Sequence, residues 1–189
     1  MKNEIISKYR NAAQTGGKKY WEAQKKLDEL KSKENQYYKD RYQELLGAAT
    51  LELSNAESEA KKLIAQAHEE AAALIKQKYA LDGEKINENT VKLLKSGVVM
   101  STAEVNNLMK NADSVTMQRI ISDYANEHGI NTGGKFISES EALAELDALD
   151  SMARSGLQRD FYFNDVINNN EAFEQTAGEA FTGQSFVTE

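Results

Sequence analysis

The 189-residue chain contains no cysteine and no proline. Without cysteine it can form neither a disulfide, nor a thiolate nucleophile, nor a cysteine-ligated zinc or iron–sulfur site. Proline makes up about 5% of average proteins, and its absence favours long uninterrupted helices over a sheet protein with tight turns. The absence of cysteine thus excludes disulfides and cysteine-dependent sites, and the absence of proline favours an all-α fold.

Long apolar runs are also missing. No segment reaches the roughly eighteen apolar residues that span a bilayer, and the start of the chain leads into no signal-peptide-like run. Hydrophobic residues make up 40% of the chain and charged residues 28%, which is typical of a folded helical protein and not of a disordered one. We therefore expect a soluble, intracellular protein with no membrane partner.

Histidine is scarce, with His68 on a charged helix face and His128 at a helix end before Gly129. Neither has a partner at metal-ligand spacing, and a structural role is the simpler interpretation. The glycine pairs at 16–17 and 133–134 match neither the phosphate-binding loop with its lysine nor the dinucleotide fingerprint. The sequence predicts no catalytic residue, no cofactor, no metal and no enzyme.

Carboxylates cluster between residues 139 and 150, where paired acids or a divalent-cation site are conceivable. Leucines recur through the same segment at helical spacing, so the acids are interpreted as the solvated face of an amphipathic helix. These acidic residues are Glu139, Glu141, Glu145, Asp147 and Asp150.

The dominant feature that is present is the segment from Lys18 to Leu81. It is rich in Ala, Glu, Lys, Gln and Leu, which favour helices, and it has one interior glycine, Gly47. A continuous helix of this length would extend about 95 Å, far beyond the cover of one globular core. The sequence therefore predicts a long helix, or coiled coil, that needs another helix as its partner.

An approximate seven-residue repeat marks the contact face of this helix. The repeat drifts, since the companion row moves from Leu63 to Ile64 and Ala71, as in a helix without supercoil. We predict that this row mediates self-association and a homo-oligomer. The predicted self-association residues are Leu46, Leu53, Ala60, Leu63, Ala67, Leu74 and Leu81.

Two arrangements of the long helix remain open. A straight rod buries the row between chains, whereas a hairpin folded at Gly47 buries it within one chain. An interior glycine costs only about 1 kcal/mol and no turn dipeptide accompanies Gly47. The straight rod is therefore the favoured prediction.

Cap signals divide the chain into four segments. Residues 1–17 form a short helix and a Gly-Gly joint, 18–82 the long helix, 83–156 a small bundle of short helices, and 157–189 an aromatic-containing tail. Within the bundle, Ser101–Glu104 and Ser138–Glu141 have the capping-box pattern that starts a helix. The expected fold is all-α.

The tail has isolated aromatic residues in a polar setting, a pattern typical of a peptide that docks on another protein. A tail folded back on its own bundle is the alternative. The predicted docking residues are Phe161, Tyr162, Phe163, Phe173, Phe181 and Phe186.

Charge is unevenly distributed along the chain. Residues 1–82 carry fifteen Lys and Arg against thirteen Asp and Glu, whereas the remainder carries eight against seventeen, which gives the net charge of −7. The basic, aromatic-containing part of the first helix is compatible with nucleic-acid contact, although a charged amphipathic helix has much the same composition. Residues predicted for such contact are Lys18, Lys19, Trp21, Lys25 and Lys26.

One block resembles a known group of proteins. The segment Val91–Val105, with its Leu-Leu-Lys-Ser-Gly and Thr-Ala-Glu elements, and the helix Met117–Tyr124, with Met-Gln-Arg-Ile, look like small proteins of tailed bacteriophages of Gram-positive hosts. The resemblance covers about forty residues. It implies a virion or head-assembly protein, present in the host cytoplasm during assembly and in the virion, with no catalytic residues.

Three functions remain open from the sequence. The first is a non-enzymatic phage virion or head-assembly protein that self-associates and binds another virion protein. The second is a phage-encoded inhibitor of a host defence or regulatory protein, and the third is a nucleic-acid-associated coiled coil.

Overall fold

The computed structural model describes residues 1–132 and 136–182, and within these ranges the chain is helical and contains no strand. The predicted all-α fold is thus confirmed. The helices are α1 Lys2–Ser32, α2 Lys39–Tyr79, α3 Glu88–Leu94, α4 Thr102–Lys110, α5 Val115–Glu127, α6 Glu139–Leu157, α7 Asp160–Tyr162 and α8 Asn170–Ala180. Short 3-10 turns at Glu34–Gln36 and Gly83–Lys85 and a π-helical turn at Phe163–Ile167 connect some of them.

The described chain forms two compact units. Unit 1 contains residues 1–72 and 144–182, and unit 2 contains residues 73–143. Helices α2 and α6 each contribute residues to both units. No helix in the described part of the chain is both long and apolar enough to cross a membrane.

The N-terminal half is a helical hairpin, so the straight rod was the wrong prediction. Helix α1 ends at Ser32, and α2 begins at Lys39. Three ion pairs join the two helices, and the residue numbers of each pair add up to 78. This constant sum shows that the helices run antiparallel. These pairs are Lys8–Glu70 at 2.6 Å, Lys19–Glu59 at 2.5 Å and Lys26–Glu52 at 2.6 Å.

The position of the turn also differs from the predicted alternative, since Gly47 lies inside α2 and the chain reverses at residues 33–38. Residues 31–41 are all exposed, whereas Leu27 and Tyr42 on either side are buried. The helix therefore breaks where continuing it would bury no apolar side chain. A glycine is not needed for this turn, because its residues have unstrained backbone angles.

Gly16 and Gly17 do not form the predicted joint, because α1 runs straight through them. Both are buried against neighbouring elements of unit 1. A Cβ atom on Gly16 would lie 2.6 Å from the Cα of Ala60, and one on Gly17 would overlap the ring of Phe163. The glycines are there for close helix packing, which the sequence alone did not distinguish from flexibility.

The interior of unit 1 combines residues from the hairpin with residues from α6 and α8. Tyr9 and Ile64 from the hairpin are fully buried. The later helices supply a matching apolar set that packs into the same unit. That set is Leu146, Leu149, Ala153, Ile167, Phe173 and Ala177.

Unit 2 has its own core, built by α3, α4 and α5. Both predicted capping boxes are present, with Ser101 paired to Glu104 and Ser138 to Glu141. Gly97 and Gly129, which follow helices α3 and α5, have positive φ angles of +80° and +65°. The core residues are Leu94, Met100, Val105, Ala112, Met117, Ile121, Tyr124 and Ala125.

Two glycine-to-alanine substitutions should change stability in opposite directions. Gly47→Ala adds a helix-favouring residue where no atom lies within 4 Å, so it should stabilise the protein by about 0.5–1 kcal/mol. Gly16→Ala brings the same helical preference but forces Ala60 away. We expect it to destabilise the protein by about 1–3 kcal/mol.

Urea unfolding followed by circular dichroism measures both changes. Each variant is a control for the other. Both positions lie inside a helix, so replacing glycine by alanine raises the helix propensity by the same amount at each. A Gly16→Ala protein as stable as Gly47→Ala would disprove the close contact between α1 and α2.

Candidate docking surfaces

The row predicted to pair two copies, here called the α2 row, is largely covered within one chain. Ala60 and Ala67 are buried, and Ala60 lies against Gly16 of the same molecule. The predicted drift of the stripe is confirmed by the buried Ile64 and Ala71. Four leucines of the row are half-buried, namely Leu46, Leu53, Leu63 and Leu74.

The self-association prediction therefore needs correction. Ala60 and Ala67 cannot contact a second copy while they are covered by their own chain. Leu81 lies beyond the end of α2 and is 69% exposed, so it is not part of the covered row. The predicted pairing of helices is real, but it takes place within the molecule.

The tail mostly packs on its own chain, which was the alternative to a docking peptide. Phe163, Phe173 and Phe181 are buried and unavailable to a partner. Tyr162 is half-buried, and Phe161 alone among the described members is 79% exposed. The predicted docking residue Phe186 lies outside the described residues.

Polar contacts fix this tail to α1. Lys2 donates to the carbonyl of Thr182 at 2.8 Å, and Gln14 donates to the carbonyl of Ile167 at 2.9 Å. Arg10 forms an ion pair with Glu174. The basic start and the acidic end of the sequence thus attract each other within unit 1, which explains part of the uneven charge distribution.

Residues predicted to contact nucleic acid are partly occupied by protein contacts. Lys19 and Lys26 are paired with acids of α2. Trp21 is half-buried and packs between Tyr20 and Phe163, with ring centroids 5.3 and 6.3 Å away. Only Lys18 and Lys25 of the predicted set remain exposed and have no ion pair among the described residues.

His68 belongs to a polar cluster between the hairpin and α6. The hydroxyl of the buried Tyr9 lies 2.8 Å from Nδ1 of His68. Burial, with a contribution from the Asp150 carboxylate, raises the pKa of the Tyr9 phenol far above its usual value. The phenol therefore keeps its proton at neutral pH and is hydrogen-bonded to the imidazole of His68.

Asp150 is turned into this cluster and does not lie on the solvated face that the sequence predicted. Its side chain is 18% exposed, and its Oδ2 accepts a hydrogen bond from Arg154 Nε at 2.5 Å. This hydrogen bond raises the pKa of the Arg154 guanidinium. The cluster joins α1, α2 and α6 and serves to position α6, which agrees with a structural role for His68.

His128 also has a structural setting. Its ring stacks on Tyr124 with centroids 4.2 Å apart, and its Nδ1 lies 2.9 Å from the Tyr124 carbonyl oxygen. Across residues 1–132 and 136–182, no three His, Asp or Glu side chains are grouped as metal ligands would be.

The most exposed apolar pair of unit 2 is in the loop Ser96–Met100, here called the valine loop. Val98 is 61% exposed and Val99 is 69% exposed, although α3, a helix of the unit's core, ends only a few residues earlier at Leu94. Leu93, at the end of that helix, is also exposed. Val98 and Val99 lie in the block 91–105 that carries the resemblance, but two adjacent valines show no helical periodicity and so give no separate signal in the sequence.

Hydrogen bonds hold the valine loop in one conformation. The Tyr124 hydroxyl donates to the Val98 carbonyl at 3.0 Å and accepts from the Met100 amide at 3.1 Å. Gly97 allows the turn with its positive φ, and the Ser101 capping box fixes the start of α4. The two valines are therefore displayed on a rigid support.

Unit 2 also contains an open groove of about 640 Å³ between α5 and the segment leading into α6. Both apolar and polar side chains line it. The apolar lining is Tyr79, Leu81, Val115, Phe136 and Leu143. The polar lining includes Thr116, Arg119, Ser122, Asp123, Asn126, Ser138, Glu139 and Ser140.

Comparisons with known proteins give no relative. No protein-family model, no curated protein and no solved structure matches the chain.

Removing one hydroxyl should loosen the valine loop. Tyr124→Phe deletes both hydrogen bonds and leaves the buried Met100 amide without its acceptor, so we expect a loss of about 1–3 kcal/mol in unfolding free energy. Amide hydrogen exchange at Met100 should accelerate. Tyr38→Phe is the matched control, because Tyr38 is almost fully exposed and should tolerate the change; equal effects of both variants would contradict the anchoring role.

The capping box at the end of the valine loop should open in acid. Hydrogen bonds from the Ser101 amide and hydroxyl lower the pKa of Glu104 below its ordinary value. Since the folded-state pKa is depressed, the stabilisation is present above the ordinary carboxyl value and disappears as pH falls through the lowered one.

NMR titration of the Ser101 amide and the Glu104 carboxyl carbon measures this change. We expect the two signals to titrate together, below the ordinary range of a glutamate carboxyl. Ser101→Ala should move the Glu104 midpoint up towards that ordinary range. An unchanged midpoint in this variant would contradict the capping interaction.

Proposed function

We propose that the protein is a non-enzymatic component of a tailed bacteriophage particle or of its assembly, and that the valine loop binds another virion protein. The observation that carries the proposal is the exposure of Val98 and Val99 on a loop fixed by Tyr124. The same loop lies inside the block that resembles small phage proteins, at 91–105. The exposed loop and the resemblance to phage proteins therefore fall in the same segment.

The physics of the loop favours binding. A loop that is already ordered loses little conformational entropy when a partner covers it. Full burial of a valine is worth about 1.5–3 kcal/mol, so two of them provide the centre of a small interface. Lys95 borders the pair, has no ion pair among the described residues and favours a partner with an acidic rim.

A non-enzymatic role agrees with the contacts of the titratable groups. The Nδ1 atom of His68 contacts the Tyr9 hydroxyl on the other helix of the hairpin, and that of His128 contacts the Tyr124 carbonyl oxygen at the end of its own helix. The proposal does not include self-association through the α2 row, because its own chain covers Ala60 and Ala67.

A site-specific photo-cross-linker at Val99 tests the proposal during production of the phage that encodes the chain. We expect the protein in purified particles or assembly intermediates, cross-linked to one phage structural protein. A cross-linker at Lys110, which is exposed on α4 of the same unit, is the matched control. Substitution of Val98 and Val99 by serine should abolish incorporation while circular dichroism stays unchanged.

Two results would overturn the proposal. One is absence of the protein from particles and intermediates together with a Val99 cross-link to a host protein, which is what the inhibitor function requires. The other is normal incorporation of the double-serine variant.

A further inference from the structure

A groove runs along the hairpin of unit 1, between α1 and α2, and is here called the Leu51 groove. Its volume is about 480 Å³, and Ala23, Ala48 and Ala56 line it beside Leu51. Leu51 is 62% exposed, although it is a large apolar residue in the interior of a helix. In the described part of the chain, only residues of the hairpin line this groove.

Most of the charged side chains along the Leu51 groove are already paired. Lys19 forms an ion pair with Glu59, and Lys26 forms one with Glu52, each between α1 and α2. The centres of protein interfaces are depleted in unpaired charge and enriched in apolar contact. An exposed leucine among alanines, with its flanking charges neutralised, therefore suits the apolar face of another helix.

We propose that the Leu51 groove is a dimer interface, in which a second copy of this chain packs antiparallel on the first with Leu51 of both copies at the two-fold axis. The interface does not use the α2 row, which faces the inside of the hairpin. It also shares no residue with the valine loop, so the inference goes beyond the proposed function and does not depend on it.

The order of charges along α2 supports a second copy as the occupant. Asp40 lies eleven residues before Leu51, and Lys62 lies eleven residues after it. Because eleven residues make about three turns of an α-helix, the three side chains lie on one face of α2. Asp40 and Lys62 are both exposed and have no ion pair among the described residues.

A two-fold axis through Leu51 brings these opposite charges together. In an antiparallel pair of α2 helices, Asp40 of each copy lies opposite Lys62 of the other, which gives two attractive contacts. In a parallel pair each of these residues faces its own counterpart, so like charges meet. The same charge order thus selects both the partner and its direction.

The face between the two charged ends permits close packing. It is about 33 Å long, or about six helical turns. Glu44 lies on this face, but it is already paired with Arg41. The other side chains beside Leu51 are small or uncharged, so they leave room for the leucine of the second copy. They are Ala48, Asn55 and Ser58.

Sedimentation equilibrium of the full chain tests the dimer directly. We expect a mass that rises from monomer to dimer with protein concentration. Leu51→Glu should abolish the dimer, because it places two carboxylates at the axis. Leu81→Glu is the matched control, since Leu81 is similarly exposed but lies outside unit 1. Circular dichroism checks that both variants stay helical.

A charge exchange tests the antiparallel direction. Asp40→Lys should raise the Kd of the dimer about tenfold at low salt, because two attractive contacts become repulsive. Adding Lys62→Asp reverses both charges of each contact and should return the Kd to within about threefold of the parent. Damage to the start of α2 cannot explain such a recovery, because the double variant retains the change at Asp40.

An engineered cysteine tests the position of the axis. The natural chain has no cysteine, so Leu51→Cys introduces a single thiol per chain. At a two-fold axis the two thiols meet, and a disulfide between copies should form under mild oxidation. Leu81→Cys is the control and should cross-link more slowly, as measured on non-reducing gels.

The results separate clearly. A dimer that Leu51→Glu abolishes and Leu81→Glu preserves, with preferential cross-linking of Leu51→Cys, supports the proposal. A monomer at every concentration, a dimer that Leu51→Glu leaves intact, equal cross-linking of the two cysteine variants, or a double charge variant that binds no tighter than Asp40→Lys would each overturn it. None of these measurements involves a phage protein, so they leave the valine-loop proposal untouched.

Discussion

The close approach of α1 to α2 is the contact on which unit 1 depends. At Gly16 the absence of a side chain lets Ala60 lie directly against the backbone of α1. One position further, Gly17 receives the ring of Phe163 from the C-terminal part of the chain. The glycine pair thus leaves room for Ala60 and for Phe163 to pack against α1. The polar cluster around Tyr9 and His68 also holds α6 beside the hairpin. Larger residues at 16 and 17 would separate these elements.

Much of the architecture follows from the sequence by simple rules. Lack of proline, strong helix formers and two capping boxes led to an all-α fold with helix starts near Ser101 and Ser138, and the structure agrees. The drift of the α2 stripe towards Ile64 and Ala71 was also readable, because it reflects the 3.6-residue period of an unsupercoiled helix. These features are local, so a single segment contains the information.

The features that escaped prediction depend on distant residues. Gly16 and Gly17 look the same in a flexible joint and in a tight helix contact, and only the position of Ala60 and Phe163 decides between them. The hairpin turn has neither proline nor glycine, so turn chemistry gave no signal. Asp150 shares its spacing with exposed acids, yet it faces His68 because α6 packs on the hairpin. The valine loop likewise depends on Tyr124, more than twenty residues away.

The hairpin constrains where the protein can bind partners. A helix with an apolar stripe must be covered, and a second helix on the same chain is present at a far higher effective concentration than another molecule. Once the chain can reverse at residues 33–38, intramolecular pairing therefore takes precedence over the pairing of two rods. The stripe is interior at Ala60, Ile64, Ala67 and Ala71, whereas some apolar groups elsewhere stay exposed among the described residues. Val98 and Val99 are such groups, and Tyr124 holds them in place because a displayed apolar pair contributes most when its loop is already ordered.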